Sequence, residues 1–134
     1  MKRTIYIVLL VALVVVLNAC SKDDDGHWSD IIKLSANEAD FSATGDSISI
    51  TTEGDWWWVT EVRVDSVDYY NFKDVDLESN NYTIQDDCFV VERRGKNSLF
   101  IKVDENMSNN SRVVVVELEA GDYFDRVTIN QAPK

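Results

Sequence analysis

The sequence predicts an all-β fold, a single antiparallel β-sandwich, from three observations. Apolar residues recur at every second position from Ile31 onward, which is the side-chain period of a strand with one buried face. Clusters rich in Gly, Asn and Asp separate these runs at roughly ten-residue intervals, as turns do in small β-proteins. The same region lacks the apolar spacing of a helix, so paired short strands are favoured over an α/β arrangement.

The alternation is clearest in the segments DSISIT, SLFIKV, RVVVVELEA and YFDRVTINQ. The tripeptide AGD at 120–122 predicts a tight hairpin between the last two, with Gly121 at a positive φ. Residues 65–87 alternate poorly, and we expect them to form a long crossover or an irregular strand pair. The residues predicted to face the core are Ile48 and Ile50; Leu99, Ile101 and Val103; Val114, Val116, Leu118 and Ala120; and Val127 and Ile129.

Residues 1–19 have the plan of a secretory signal peptide. Lys2 and Arg3 give a positive start, an apolar run follows at 5–17, and a small residue precedes Cys20. The run is too short to be a comfortable permanent transmembrane helix. Its end, LNAC, resembles the lipobox of bacterial lipoproteins, in which the Cys sulfur is acylated and the leader is cut before it. We therefore expect a lipid anchor on Cys20, where two or more acyl chains would give stable membrane attachment.

Residues 20–30 are predicted to form an acidic tether leading to a domain at residues 31–134. The run SKDDDG after Cys20 resembles the export signal that directs lipoproteins of Bacteroidota to the outer face of the outer membrane. A short charged run is also what a solvated linker looks like. Of the two interpretations, we expect an outer-membrane location facing the cell exterior.

The chain is strongly acidic, with 24 Asp and Glu against 13 Lys and Arg and a net charge of −11. Loss of Lys2 and Arg3 with the leader would make that charge −13. Nucleic acid and anionic lipid would repel such a protein, so we expect neither as a charge-driven partner. The expected membrane contact is the lipid on Cys20.

Residues suited to catalysis or to metal binding are sparse. The single His, His27, lies in the tether, where nothing rigid would hold it for acid–base chemistry. Cys88 stands beside Asp86 and Asp87, which would raise its pKa, so we expect a packed or idle thiol rather than a nucleophile. The loop DENMSNN offers oxygen atoms but lacks EF-hand spacing, and a solvated turn is favoured over a calcium site. We expect no enzyme activity, no bound metal and no cofactor.

Several short motifs, taken in order, resemble the BACON domain. They are a Trp after the TTEGDW turn, an Asn-containing turn followed by Arg112 and an apolar strand, and a last strand with Ile129 and Gln131 in TINQAP. Together they cover residues 32–131. The resemblance implies an immunoglobulin-like sandwich on a surface lipoprotein of Bacteroidota that binds carbohydrate or a mucin-type glycoprotein without catalysis. The segment between Val64 and Gln85 is longer than the usual connection of this family.

Three consecutive tryptophans are the strongest sign of a ligand, because flat exposed rings can stack on sugars whereas buried rings fill a core. Alternation through Val64 puts Trp56 and Trp58 on an apolar core face. Trp57 then faces outward among polar residues, unless a bulge shifts the register. We predict Trp57 as the indole available to a ligand.

Paired aromatic residues beside an acid add Tyr69, Tyr70 and Tyr123 as candidate ligand contacts, with Phe124 next to the last of these. Such pairs near a turn also suit a hydrophobic plug that closes the end of a sandwich, and the plug is the favoured interpretation.

The tripeptides DSI and DSV resemble the D-S/T-apolar motif for O-glycosylation in Bacteroidota, which makes Ser47 and Ser66 candidate modification sites. Two functions remain open for the domain. One is a non-catalytic module that binds glycan or glycoprotein, and the other is a structural spacer or protein-interaction module that binds no glycan. An exposed row of aromatic side chains would favour the first.

Overall fold

The computed structural model describes residues 29–134, and within them the chain forms strands, turns and loops without a helix. No helix that could cross a membrane is therefore found among these residues. The predicted leader at 1–19, Cys20 and nearly all of the tether at 20–30 lie outside the described residues. The strands are β1 (Glu38–Phe41), β2 (Asp46–Thr51), β3 (Trp58–Val64), β4 (Val67–Tyr69), β5 (Asn81–Asp86), β6 (Phe89–Arg94), β7 (Ser98–Val103), β8 (Arg112–Ala120) and β9 (Tyr123–Gln131).

The strands form two sheets, one of five strands in the order β1-β9-β8-β3-β4 and one of four in the order β2-β7-β6-β5. The order β2-β7-β6 opposite β3-β8-β9 matches strands B-E-D and C-F-G of an immunoglobulin-type sandwich. The predicted all-β, immunoglobulin-like sandwich is therefore confirmed. One pair departs from the antiparallel prediction, since β1 runs parallel to β9. The chain leaves β1 for the other sheet, so β1 is free to lie along the outside of β9 in the same direction.

The predicted inward faces of β2, β7, β8 and β9 are confirmed. Every residue of those faces is buried except Ile48, which is half-buried and packs against the core. The hairpin between β8 and β9 pairs Ala120 with Tyr123, and Gly121 has a φ of 63° as predicted. Period-two patterning alone therefore identifies most of the core, because each strand has one face in the sandwich interior.

Residues 65–87 contain both a strand pair and a crossover. Val64 pairs with Val67 across a two-residue turn, in which Asp65 has a φ of 54°. Residues 70–80 then pass from the five-stranded to the four-stranded sheet. Their apolar side chains pack against the core, which explains the weak alternation of a segment that is ordered but is not a strand. These side chains are Phe72, Val75 and Leu77.

We predict that Gly45→Ala lowers the free energy of unfolding by about 2–4 kcal/mol, because two penalties combine. Gly45 has a φ of 85°, and a Cβ there would lie 2.5 Å from the carbonyl oxygen of Val103. Gly95→Ala is the matched control, because Gly95 has a φ of 74° but no atom within 4 Å of the added Cβ. Urea unfolding of the two variants separates the clash from the dihedral cost. Equal losses would contradict the clash.

Candidate functional site

The structure reverses the predicted orientation of the tryptophan triplet. Trp57 is 0% exposed and lies in the core, Trp56 is 65% exposed, and Trp58 is half-buried. The prediction that Trp57 faces outward is therefore wrong, and so is the core role given to Trp56. A side chain without solvent exposure cannot stack on a ligand.

A β-bulge is the physical reason for this reversal. The register between β3 and β8 shifts between Val59 and Glu61, so Val59 and Val62 are both buried although they are three residues apart. A bulge adds one residue to a strand and inverts the facing of everything on its far side. Counting in steps of two from Val64 therefore crosses the bulge and assigns each tryptophan to the opposite face.

Trp57 is held inward by a buried arginine. The guanidinium of Arg93 lies 4.4 Å from the centroid of the Trp57 ring, within the range of a cation–π interaction. Arg93 is 4% exposed, and burial lowers its pKa. It donates to the backbone carbonyl of Trp57, to that of Asp55 at 2.8 Å and to that of Lys96 at 3.3 Å. A charge at this depth is tolerated because backbone oxygens replace the lost water.

Side-chain hydrogen bonds fix the loop that precedes Trp57. The indole Nε1 of Trp57 donates to the Thr52 hydroxyl at 3.0 Å, and that hydroxyl donates to the Gly54 carbonyl at 2.6 Å. Asn97 donates through its Nδ2 to the Gly54 carbonyl at 3.0 Å. A Cβ on Gly54 would lie 2.1 Å from the Ile31 carbonyl oxygen, so the loop packs directly on the incoming chain. Contacts with Thr52, Asn97 and the backbone at Ile31 thus fix the conformation of the loop at Trp57.

With Trp57 inward, its neighbours form an exposed aromatic surface. The Trp56 and Trp58 rings meet edge to face, with centroids 5.5 Å apart and planes at 75°. Trp56 also covers the β8–β9 turn, because a Cβ on Gly121 would lie 3.4 Å from its ring. In register, Trp58 pairs with Glu119, and Glu119 pairs with Phe124, which is 59% exposed.

Residues directly opposite in an antiparallel pair project from the same face with Cβ atoms about 5 Å apart. Trp58, Glu119 and Phe124 therefore lie in one row on the outer face of the five-stranded sheet, with Trp56 beside them. We call these four residues the aromatic platform. It is the exposed aromatic row for which the sequence offered only Trp57.

A groove of about 630 Å³ adjoins the platform. Trp56 and Trp58 line it together with Leu77 and Glu78 from the β4–β5 connection, and Trp57 and Arg93 also contribute to its lining. An exposed indole beside a carboxylate can stack on an apolar ring face while the carboxylate accepts hydrogen bonds from hydroxyl groups. We call this cleft the tryptophan groove.

A second groove, of about 690 Å³, contains two of the predicted ligand contacts. Tyr70 is 71% exposed and accessible, whereas Tyr69 is half-buried and packs edge to face on Phe89 with centroids 5.2 Å apart. Partial burial raises the pKa of the Tyr69 phenol, and the nearby Asp86 adds to the rise. Ligand contact by Tyr69 and Tyr70 stays a prediction, and only Tyr70 has a largely free ring.

Tyr123 and Phe124 differ in exposure, and only Tyr123 packs as the predicted hydrophobic plug would. Tyr123 is half-buried and packs against the core, which fits a plug at the end of the sandwich. Desolvation, with added effects of Asp125 and Asp30, raises the pKa of Tyr123 to about 12. Phe124 points the other way and joins the platform. Tyr123 as a ligand contact stays a prediction, since its ring mainly packs.

The loop DENMSNN is organised around an inward-facing asparagine. Asn106 is 1% exposed, and its Nδ2 donates to the carbonyls of Asn110 at 2.8 Å and Ala132 at 3.1 Å. Its Oδ1 accepts from the Ser108 backbone N–H and hydroxyl. Within residues 29–134, no group of three or more His, Cys, Asp or Glu is placed to hold a metal ion.

Cys88 is a free, half-buried thiol. Burial raises its pKa, and Asp86, Asp104 and Asp87 raise it further, while Arg112 acts in the opposite direction. The predicted direction is confirmed, but desolvation outweighs the neighbouring acids that were given as its cause. Ser47 on β2 and Ser66 in the β3–β4 turn are both exposed, so their modification stays a prediction with accessible side chains.

Sequence reasoning missed Arg93 and Glu119, although signals for them exist. Alternation in FVVERR carries Arg93 to the inward face, and an inward cation requires a buried partner such as an indole. The AGD hairpin fixes Glu119 opposite Phe124 on the outer face. The residue types do not reveal the bulge that determines which tryptophans face the core and which face solvent.

Comparisons with known proteins relate the chain to the fold alone. No family model matches it, and no match is found among curated proteins. The NMR structure of a protein from Bacteroides thetaiotaomicron is similar, with a TM-score of 0.67 and 21% identity over 86% of this chain and 98% of that one. This similarity shows that the two chains share a fold.

Two further solved structures align more loosely. A Bacteroides ovatus GH5 xyloglucanase in complex with a XXXG heptasaccharide gives a TM-score of 0.46 and 18% identity over 76% of this chain and 19% of that one. The CsuC-CsuE chaperone and tip adhesion subunit complex from Acinetobacter baumannii gives 0.39 and 9% identity over 77% and 57%. Neither contributes to the functional interpretation.

We predict that Trp57→Ala lowers the free energy of unfolding by about 3–5 kcal/mol, because it leaves a cavity and removes the ring over Arg93. Trp56→Ala, at an exposed position next to it, should cost less than about 1 kcal/mol. Urea unfolding followed by circular dichroism measures both. Similar losses for the two variants would contradict the assignment of one indole to the core and one to the surface.

Proposed function

We propose that the protein is an outer-surface lipoprotein whose BACON-like domain binds carbohydrate, or the glycan of a glycoprotein, without catalysing a reaction. The observation that carries this proposal is the aromatic platform, with an indole 65% exposed at Trp56 and an exposed ring at Phe124. Large apolar side chains grouped at a surface mark an interaction site, and flat rings suit the apolar faces of sugars.

The site has the composition expected of saccharide binding. Trp56 and Trp58 supply ring faces and edges, Leu77 supplies an apolar wall, and Glu78 and Glu119 supply acceptors for hydroxyl groups. The platform stands on strands and on the locked 52–57 loop, so little ordering would accompany binding. A rigid aromatic surface compensates for the small energy of each sugar contact.

Two of the residues that carry the resemblance to the BACON domain, Arg112 and Gln131, form a network at the opposite end of the sandwich. Arg112 donates to Gln131 Oε1 at 3.1 Å, and Gln131 Nε2 donates to the Asp104 carbonyl at 2.9 Å. Gln131 is 1% exposed. Arg112 and Gln131 thus serve the sandwich architecture, whereas Trp56, which ends the TTEGDW motif, belongs to the proposed ligand site.

Glycan binding is tested with the full chain in detergent on a glycan array, beside Trp56→Ala. We expect retained glycans at micromolar to millimolar affinity, and a loss of about tenfold or more in the variant because an exposed indole anchors the contact. Met107→Ala is the control, since it removes a 62% exposed apolar side chain from the β7–β8 loop, outside both grooves. An array without retained glycans would favour the spacer or protein-interaction function instead.

The proposed location is tested by replacing the two cysteines separately. Cys20→Ser should release the chain from the membrane fraction because it removes the acyl acceptor, whereas Cys88→Ser should leave it attached. Protease treatment of intact cells should remove the domain if it faces the exterior. Unchanged membrane association of Cys20→Ser would contradict the anchor, and survival of the domain while a surface marker is lost would contradict the exterior location.

A further inference from the structure

The tryptophan groove and the aromatic platform each contain a carboxylate that forms no ion pair with a cation of residues 29–134. Glu78 lines the groove, and Glu119 lies between Trp58 and Phe124 in the cross-strand register. Of the ion pairs formed by residues 29–134, none includes either residue. These pairs are Lys33–Glu53, Arg63–Glu61, Arg63–Asp68, Arg94–Glu92, Lys96–Asp55 and Lys102–Asp104.

Cations at this end of the sandwich have other neighbours than the exposed indoles. Among residues 29–134, Arg126 forms no ion pair and lines a separate groove with Glu38 and Asp125, and Lys96 lies 3.8 Å from Asp55. Arg93 is buried and gives its Nη donors to backbone carbonyls rather than to the surface. A ligand on Trp56 and Trp58 would therefore meet the accessible carboxylates of Glu78 and Glu119, whereas the guanidinium in the groove lining, that of Arg93, is 4% exposed.

We propose that the site selects uncharged glycans and rejects those that carry carboxylate or sulfate groups, with Glu78 and Glu119 as the specificity-determining residues. This inference rests on the proposed glycan binding. Neutral hydroxyl groups donate to a carboxylate, and such charge-assisted hydrogen bonds are the stronger kind. An anionic sugar stacked on Trp56 or Trp58 instead brings like charges together in a partly desolvated cleft, which costs binding energy.

The expected size of the effect follows from Coulomb's law. Two like unit charges about 7 Å apart in a water-like medium reduce affinity about threefold, so two carboxylates give about tenfold discrimination. Exposed charges are screened by salt, so the discrimination should shrink as ionic strength rises from low to high. The stacking contribution should change little over the same range.

The test is the binding of the full chain, in detergent, to pairs of glycans that share a core and differ by a terminal sialic acid or a sulfate ester. Wild type should retain the neutral member of each pair about tenfold better at low salt. The double variant Glu78→Gln with Glu119→Gln should narrow the ratio to about twofold, because the amides keep an acceptor but lose the charge. Glu105→Gln, an exposed acid in the β7–β8 loop, should leave the ratio unchanged.

The outcomes separate this inference from the glycan-binding proposal on which it rests. Equal or better retention of the anionic glycans by wild type, or an unchanged ratio in the double variant, would overturn the selectivity while glycan binding stands. No retention of any glycan would overturn both. If the ratio of neutral to anionic glycan retention narrows equally in Glu105→Gln, the discrimination comes from the net charge of the chain. That result would overturn the assignment to Glu78 and Glu119.

Discussion

The stack of Arg93 on Trp57 is the contact on which the end of the sandwich that carries the aromatic platform depends. It joins β6 of one sheet to the start of β3 in the other, and its donors close on backbone carbonyls of the 52–57 loop and of Lys96. A buried cation without a carboxylate partner is stable only if nearby oxygen atoms accept hydrogen bonds from its N–H groups. The Nε of Arg93 has no hydrogen-bond partner among residues 29–134, so the Nη groups make these hydrogen bonds.

The position of this stack decides which tryptophans are exposed. Because Trp57 is fixed inward, its neighbours on either side must project away from the core, and Trp56 is left over the β8–β9 turn. The bulge between Val59 and Glu61 then restores the inward register needed for Val62. The exposure of Trp56 thus follows from the burial of Trp57. A substitution at Arg93 would therefore disturb the platform although Arg93 is not a member of it.

Sequence patterning predicts the fold well where each strand has one solvent-exposed face and one buried face. The strands β7, β8 and β9 alternate without interruption, and their inward residues were identified correctly. It fails at β3 because a bulge depends on backbone hydrogen bonding between β3 and β8, and side-chain types do not encode it visibly. For residues 70–80 patterning indicates a connection, as the structure has it, but it does not show which apolar side chains cover the core, because a connection has no fixed period.

The candidate site was harder to predict than the core because it joins residues that are distant in the chain. Trp58, Glu119 and Phe124 meet only through two strand pairings, and Leu77 and Glu78 arrive from the crossover. Each of these residues alone is unremarkable on a surface. The triplet drew attention to the correct segment, but which of its members is accessible follows from the packing of Trp57.

The platform lies at the end of the sandwich where the described chain begins. The Gly54 N–H donates to the Ile32 carbonyl at 3.1 Å, and the Glu53 N–H donates to the Lys33 carbonyl at 3.3 Å, so the first described residues are held beside the 52–57 loop. The lipid anchor proposed at Cys20 would therefore hold the platform near the membrane surface. The proposed saccharide site would gain from such placement, because a tethered partner is met at a high effective concentration.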